Sequence, residues 1–192
     1  EIQEVDFYPH PLDQLSWGIR MSKGLICPSM TLCQDWEHLT QTYRTYNYLD
    51  IDRYPTVPEP LFPHDDIVIG WCGSMSHLES FTDSGVIRAI KNVLHKYDNV
   101  RLMVTGDQRV YDKFEISKRK RFFSPFVPAE QWGALLKSLD IGLAPLASEF
   151  DRRRSWIKVL EYMALKVPWL ATNFETYHEL GEYGTLVDNS VD

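Results

Sequence analysis

From Ile67 onward the chain alternates short apolar runs with segments of helical spacing, and few folds tolerate that rhythm. The apolar runs are IVIGW (67–71), VRLMVT (100–105), RFFS (121–124), DIGLAPL (140–146), PWLAT (168–172) and TLV (185–187). Runs this short and this apolar predict strands buried on both faces. Between them, Val86, Ile90, Val93 and Leu94 form one helical stripe, and Trp132, Leu135, Leu136 and Leu139 a second. A third runs through Trp156, Val159, Leu160, Met163 and Ala164. The alternation predicts an α/β, Rossmann-like, doubly wound domain over 67–192, with a mostly parallel sheet of about six strands.

Residues 1–66 break the rhythm. GLICPS (24–29) predicts one strand and Met30 to Leu39 one helix, after which Pro55, Pro58, Pro60 and Pro63 mark an extended linker. The segment 1–66 is therefore expected to be the end of a preceding domain plus a proline-rich linker.

Composition narrows the function. At 192 residues and 44% hydrophobic, the chain can bury one full core without disulfide or metal staples. Its formal charge of −7 argues against a general nucleic-acid binder, and the runs Lys118–Arg121 and Arg152–Arg154 read first as solvated faces. Cys27, Cys33 and Cys72 show neither a CxxC pair nor zinc spacing, and an odd, unpatterned set suits a reducing compartment. His10, His38, His64, His95 and His178 are scattered and support no metal site, while His77, entering a helix after a loop, reads as structural. No apolar stretch approaches the roughly 18 residues that would span a bilayer. No signal-peptide pattern opens the chain either. The expectation is a soluble, cytoplasmic protein, or a piece of one.

In an open parallel sheet, ligands bind beyond the carboxyl ends of the strands. After IVIGW, Gly73 lets backbone approach a ligand and Ser74 offers a hydroxyl. After VRLMVT comes Gly106-Asp107. Neither GxGxxG nor GxxxxGK[ST] occurs, so the common dinucleotide and P-loop fingerprints are absent. The third loop, ASEFDRRRS, leads into a helix whose free N–H groups favour an anion. Arg152, Arg153 and Arg154 are unfavourable beside that dipole unless something negative answers them, and Asp151 and Ser155 are candidate N-caps. At 3.6 residues per turn Lys158 and Glu161 share a face, joined by Arg154 if the helix starts early. Without a ligand this is a solvated stripe whose exposed Lys158–Glu161 pair is worth under ~1 kcal/mol.

DIGLAPL followed by EFDRRRSWIKVLEYMALKVPWLAT resembles the donor-binding half of a GT-B glycosyltransferase, most closely the retaining enzymes of family 4. The matching positions are Pro145, Leu146, Phe150, Arg154, Ser155, Lys158, Leu160, Glu161, Tyr162 and Pro168. IGWCGSMSH resembles the opening of the same domain through Gly70, Trp71, Gly73, Ser74 and His77, and YNYLDIDRY the segment joining the two GT-B domains through Asn47 and Asp50. The resemblance covers about residues 24 to 189, and its specific part is the block 140–170. It implies that Glu161 binds the ribose hydroxyls of a nucleotide sugar and that Arg154 and Lys158, with Ser155 beside them, face its diphosphate. Gly73 and Ser74 would lie near the phosphates and sugar, and Val127, in SPFVP, where backbone contacts the base. It implies transfer with retention, without metal, the nucleotide sugar being a substrate rather than a cofactor.

Departures from the family pattern accompany the match. Arg153 stands where the first glutamate of the Glu-x7-Glu motif is common, so no catalytic carboxylate is assigned. Ser80 replaces a frequent aspartate, and Lys166 a frequent glycine. A GT-B enzyme has two such domains, so the resemblance implies that the N-terminal, acceptor-binding domain is missing and leaves the acceptor unidentified. Two alternatives stay open: a non-catalytic domain that binds a nucleotide or nucleotide sugar, and a scaffold with a degenerate pocket.

Overall fold

The structure, a computed structural model, describes residues 9–53 and 59–189. Pro55 and Pro58 of the proline-rich segment lie outside the described residues. Two compact units emerge, Glu1–Asn47 with Arg153–Ser155, and Tyr48–Arg152 with Trp156–Asp192.

In the first unit, helix α1 (Pro11–Met21) starts on a proline whose missing N–H the first turn does not need, and His10 Nδ1 accepts from Leu12 N–H at 3.2 Å. Strand β1 (Leu25–Cys27) leads to helix α2 (Met30–Trp36), capped by Ser29, whose hydroxyl accepts from Leu32 N–H. β1 pairs in parallel with β2 (Thr42–Arg44), a strand too short to read from sequence. Cys27 and Cys33 lie buried against each other, and burial with the neighbouring thiol pushes Cys27 up to about 11.

The second unit is built around six parallel strands: β3 (Ile67–Gly73), β4 (Val100–Gly106), β5 (Arg121–Ser124), β6 (Ile141–Ala144), β7 (Trp169–Thr172) and β8 (Thr185–Val187). They stand in the order β5-β4-β3-β6-β7-β8. This is the doubly wound order, and it is the fold class that the sequence predicts. Helices α3 (Leu78–Asp83), α4 (Val86–Lys96) and α5 (Gln108–Lys113) connect the first three strands. Helices α6 (Ala129–Lys137), α7 (Ile157–Ala164) and α8 (Glu175–His178) connect the rest.

Alternation along β3 explains why its sequence is apolar throughout. Val68 and Cys72 enter one core with Leu135, Leu136, Val159 and Tyr162, whereas Ile69 and Trp71 enter the other with Phe81, Ile90 and Leu94. A strand serving two cores has no polar face.

The predicted stripe on α7 needs correction. Val159 and Tyr162 are its buried residues, with Leu165 just beyond, while Leu160, Met163 and Ala164 are only partly covered. Tyr162 can be fully buried because its hydroxyl donates to Leu143 O at 3.1 Å.

Candidate functional site

The sheet order reverses between β3 and β6, and the crevice beyond their carboxyl ends is where such sheets hold ligands. Strand β3 delivers Gly73 and Ser74 there. Ser74 is exposed and extended, its hydroxyl 3.4 Å from that of Ser76. Gly73 has a packing reason to be glycine besides ligand approach, since a methyl group would stand 2.3 Å from the Trp71 indole. Trp71 is fully buried and packs edge-on against His77 and Phe81, at 5.7 and 4.9 Å between ring centres. His77 thus sits in an aromatic cluster, as a structural histidine would.

Helix α7 supplies the charges. Lys158 lies in its first turn, donates to the carbonyl of Cys72 and places its ammonium 5.4 Å from the Trp71 ring centre. Glu161 lies one turn on, and its Oε1 accepts from Trp132 Nε1 at 2.9 Å. Both are half-buried, so the solvated stripe is replaced by two anchored side chains. Beneath them the Cys72 thiol is pushed up to about 12 by burial, which Lys158 and Thr105 partly offset and Glu161 reinforces.

The wall continues through residues that sequence reasoning missed. Trp132 stacks on Phe126, ring centres 6.3 Å apart and planes 29° apart, and Phe126 remains 55% exposed. Phe126 rests against Gly106, which adopts φ +97° and closes on the Gly73 carbonyl. Val127 follows Phe126, half-buried on the loop from β5 to α6. Gly73, Gly106, Phe126, Trp132 and Glu161 are therefore linked by successive contacts. An aromatic between two loop prolines, Pro125 and Pro128, is the available signal for Phe126, whereas the helical spacing of its partner Trp132 points only to core.

The loop from β6 to α7 departs from expectation. Neither Asp151 nor Ser155 caps α7; the N-cap is Trp156, which makes no side-chain cap bond. Asp151 opens a 3-10 turn, Asp151–Arg153, and its side chain turns back to accept from Ala147 N–H at 2.9 Å and Ser148 N–H at 3.3 Å. Because α7 starts at Ile157, helical spacing does not bring Arg154 onto the face of Lys158 and Glu161.

The arginine run is also answered by carboxylates. Arg152 bonds Glu149 at 3.0 Å and both oxygens of Glu175 at 2.6 Å, and lies 4.5 Å from the Phe174 ring centre. In the first unit Arg153 bonds Asp35 at 2.5 and 3.2 Å, and its carbonyl accepts from the Ser29 hydroxyl at 3.2 Å. Arg153 is thus a tether at the position where the resembling family often has a glutamate. Arg154 and Ser155 belong to the same unit and are half-buried. Among the described residues no cluster of three metal-ligating side chains occurs, and no helix is long and apolar enough to cross a membrane.

The sequence profile described as "Glycosyl transferases group 1" matches residues 66–192, about two thirds of the chain. The chain belongs to that family. As a group 1 glycosyltransferase chain it superposes on solved structures that share its fold. HepE from Anabaena, solved with UDP-glucose, is 15% identical with a TM-score of 0.70 over 96% of this chain and 55% of its own. Sucrose-phosphate synthase from Thermosynechococcus elongatus gives 13%, 0.67, 93% and 48%. TarM from S. aureus gives 15%, 0.65, 93% and 36%. The group 1 chain thus spans from about a third to just over half the length of these relatives. The shared fold is a Rossmann-like half of the GT-B architecture. No curated protein matches it by sequence.

Proposed function

We propose that this chain binds a nucleotide sugar in the crevice between β3 and β6 and supplies the donor half of a retaining, metal-independent glycosyltransferase. The acceptor-binding half would be a separate N-terminal domain. The observation that carries the reading is the anchoring of Lys158 at the carboxyl end of β3, one helical turn from Glu161. A cation at the carboxyl end of β3 with a carboxylate one helical turn away supports a diphosphate followed by a ribose. Relatives of the same fold bind such ligands: HepE was solved with UDP-glucose and a TarM variant with UDP.

In this reading Lys158 and the first turn of α7 meet the diphosphate. Gly73 and Ser74 line the phosphates and sugar, Glu161 accepts from the ribose hydroxyls, and the backbone at Val127 meets the base. As the bond between the sugar carbon and the phosphate oxygen breaks, negative charge grows on the leaving diphosphate. Fixed cations and helix N–H groups stabilise that charge without reorganising. The acceptor oxygen attacks the same face, and its proton passes to the departing phosphate. The protein's part is to orient and to hold charge. The cytoplasm is the compartment we assign; three buried free thiols support it.

The test is calorimetric titration of the chain with UDP, GDP, ADP and dTDP, with Glu161→Ala alongside. A charge-assisted hydrogen bond of ~1.5–3 kcal/mol predicts one preferred diphosphate, weakened about tenfold or more by the substitution. No heat with any of the four removes the reading.

A further inference from the structure

Ser80 and Asp151 are 71 residues apart in sequence and meet in the interior of the second unit, 1% and 2% exposed. The Ser80 hydroxyl donates to Asp151 Oδ2 at 2.8 Å, and the same oxygen accepts from the N–H groups of Ala147 and Ser148 at 2.9 and 3.3 Å. The Asp151 N–H donates in turn to the carbonyl and the hydroxyl of Ser148, at 3.0 and 3.2 Å. One carboxylate oxygen therefore closes the loop 147–151 on itself and ties it to α3. Just outside, Arg152 grips Glu175 and its carbonyl accepts from the Thr176 hydroxyl at 3.2 Å, which ties the same loop to α8.

A buried carboxylate is a costly way to fill space and persists where its hydrogen bonds define a geometry. Here the geometry is that of the loop through which β6 hands over to α7, one wall of the crevice. We infer that Ser80 and Asp151 are positioning residues of the donor site. They hold this loop so that the first turn of α7 presents Lys158 to the end of β3. The inference rests on the donor-binding reading for its functional consequence and on the hydrogen-bond geometry alone for its structural one. It gives the serine at position 80 a specific partner, and it puts the loop's conformation under the control of a helix on the other side of β3.

The experiment combines amide hydrogen exchange with calorimetry on the whole chain. The variants are Ser80→Ala, Asp151→Asn and the hydroxyl-retaining Ser80→Thr, with Ile90→Val, in the opposite core, as a stability control. Ser80→Ala should speed exchange of the amides of 147–152 and 159–160 by about tenfold and weaken the preferred nucleoside diphosphate more than its nucleoside. Asp151→Asn should do the same, Ser80→Thr should restore both readouts, and Ile90→Val should move neither. Unchanged exchange across 147–160 would overturn the inference, as would equal losses for the preferred nucleoside diphosphate and its nucleoside. If the unaltered chain binds none of the four diphosphates, the donor reading falls. Exchange at 159–160, whose amides donate to Trp156 O, then still decides whether Ser80 controls the start of α7.

Discussion

Trp132 Nε1 donates to the Glu161 carboxylate at 2.9 Å, so the residue assigned to the ribose is oriented by a side chain of α6. Trp132→Phe would keep an aromatic ring beside Phe126, smaller than the indole, and delete the donor. Hydrogen bonds to charged groups contribute ~1.5–3 kcal/mol, and part of that orients Glu161. Nucleoside diphosphate affinity should fall about threefold to tenfold with little change in circular dichroism. Unchanged affinity in a calorimeter would detach Trp132 from binding.

Lys158 makes a different prediction because the proposed function sets its charge against phosphate. Lys158→Ala should weaken a nucleoside diphosphate by about tenfold, equivalent to ~1.4 kcal/mol, and leave the bare nucleoside nearly untouched. Losses of the same size for both ligands would mean that Lys158 only props up Trp71 and the end of β3.

The Cys72 thiol, pushed from its ordinary 9.0 to about 12 mainly by burial, sets an alkaline limit on stability. The unfolded chain releases this proton first, so the contribution is complete below about pH 9 and disappears as pH rises towards 12. Across that window the slope is at most about 1.4 kcal/mol per pH unit. Urea unfolding midpoints should fall more steeply between pH 8 and about 10.5 for the native sequence than for Cys72→Ala. Parallel slopes would show that this thiol is not the group responsible. In the folded state Cys72 should also resist alkylation at neutral pH.

At Gly106 two constraints coincide. The φ of +97° disfavours any side chain, and a methyl group would stand 2.4 Å from the Gly73 carbonyl oxygen and 2.6 Å from the Phe126 ring. Gly106→Ala should cost about 1–3 kcal/mol, seen as a drop of roughly 2–4 °C in Tm per kcal/mol for a chain of this size. It should also disturb nucleotide binding, since the displaced groups are Gly73 and Phe126. A variant as stable as the parent would contradict the packing described.

The middle of the sheet is legible because its strands satisfy one simple condition, whereas the edge strands β5 and β8 are only partly covered. Val68 to Cys72, for instance, carries nothing polar between two cores. Glu161 and Lys158 were placed by their spacing and by the resemblance of the surrounding block. Asp151 was misread as a cap because its partner Ser80 comes from a distant helix, and the helix signal alone favours the nearest N-terminus. Tyr162 was left out of the buried stripe because only the structure shows that Leu143 O receives its hydroxyl. Helix α1 is not among the predicted elements although Leu12, Leu15 and Ile19 stand at helical spacing; Ile19 is its one buried residue, and Leu12, Leu15, Trp17 and Met21 are exposed. The arginine run looked unanswered because Glu175 and Asp35 lie far from it in sequence.

Strand β3 is joined to β4 at seven positions but to β6 at only two, Ile69 to Ile141 and Gly70 to Gly142. Under a pulling load the sheet should therefore tear along that seam, and the crevice lies at its open end. A nucleotide diphosphate gripped by Gly73 and Ser74 on one side and by Lys158 and Glu161 on the other would act as a rivet. In single-molecule pulling across β3 and β6, bound ligand should raise the rupture force even though it touches neither strand's interior. An unchanged force would place the ligand elsewhere.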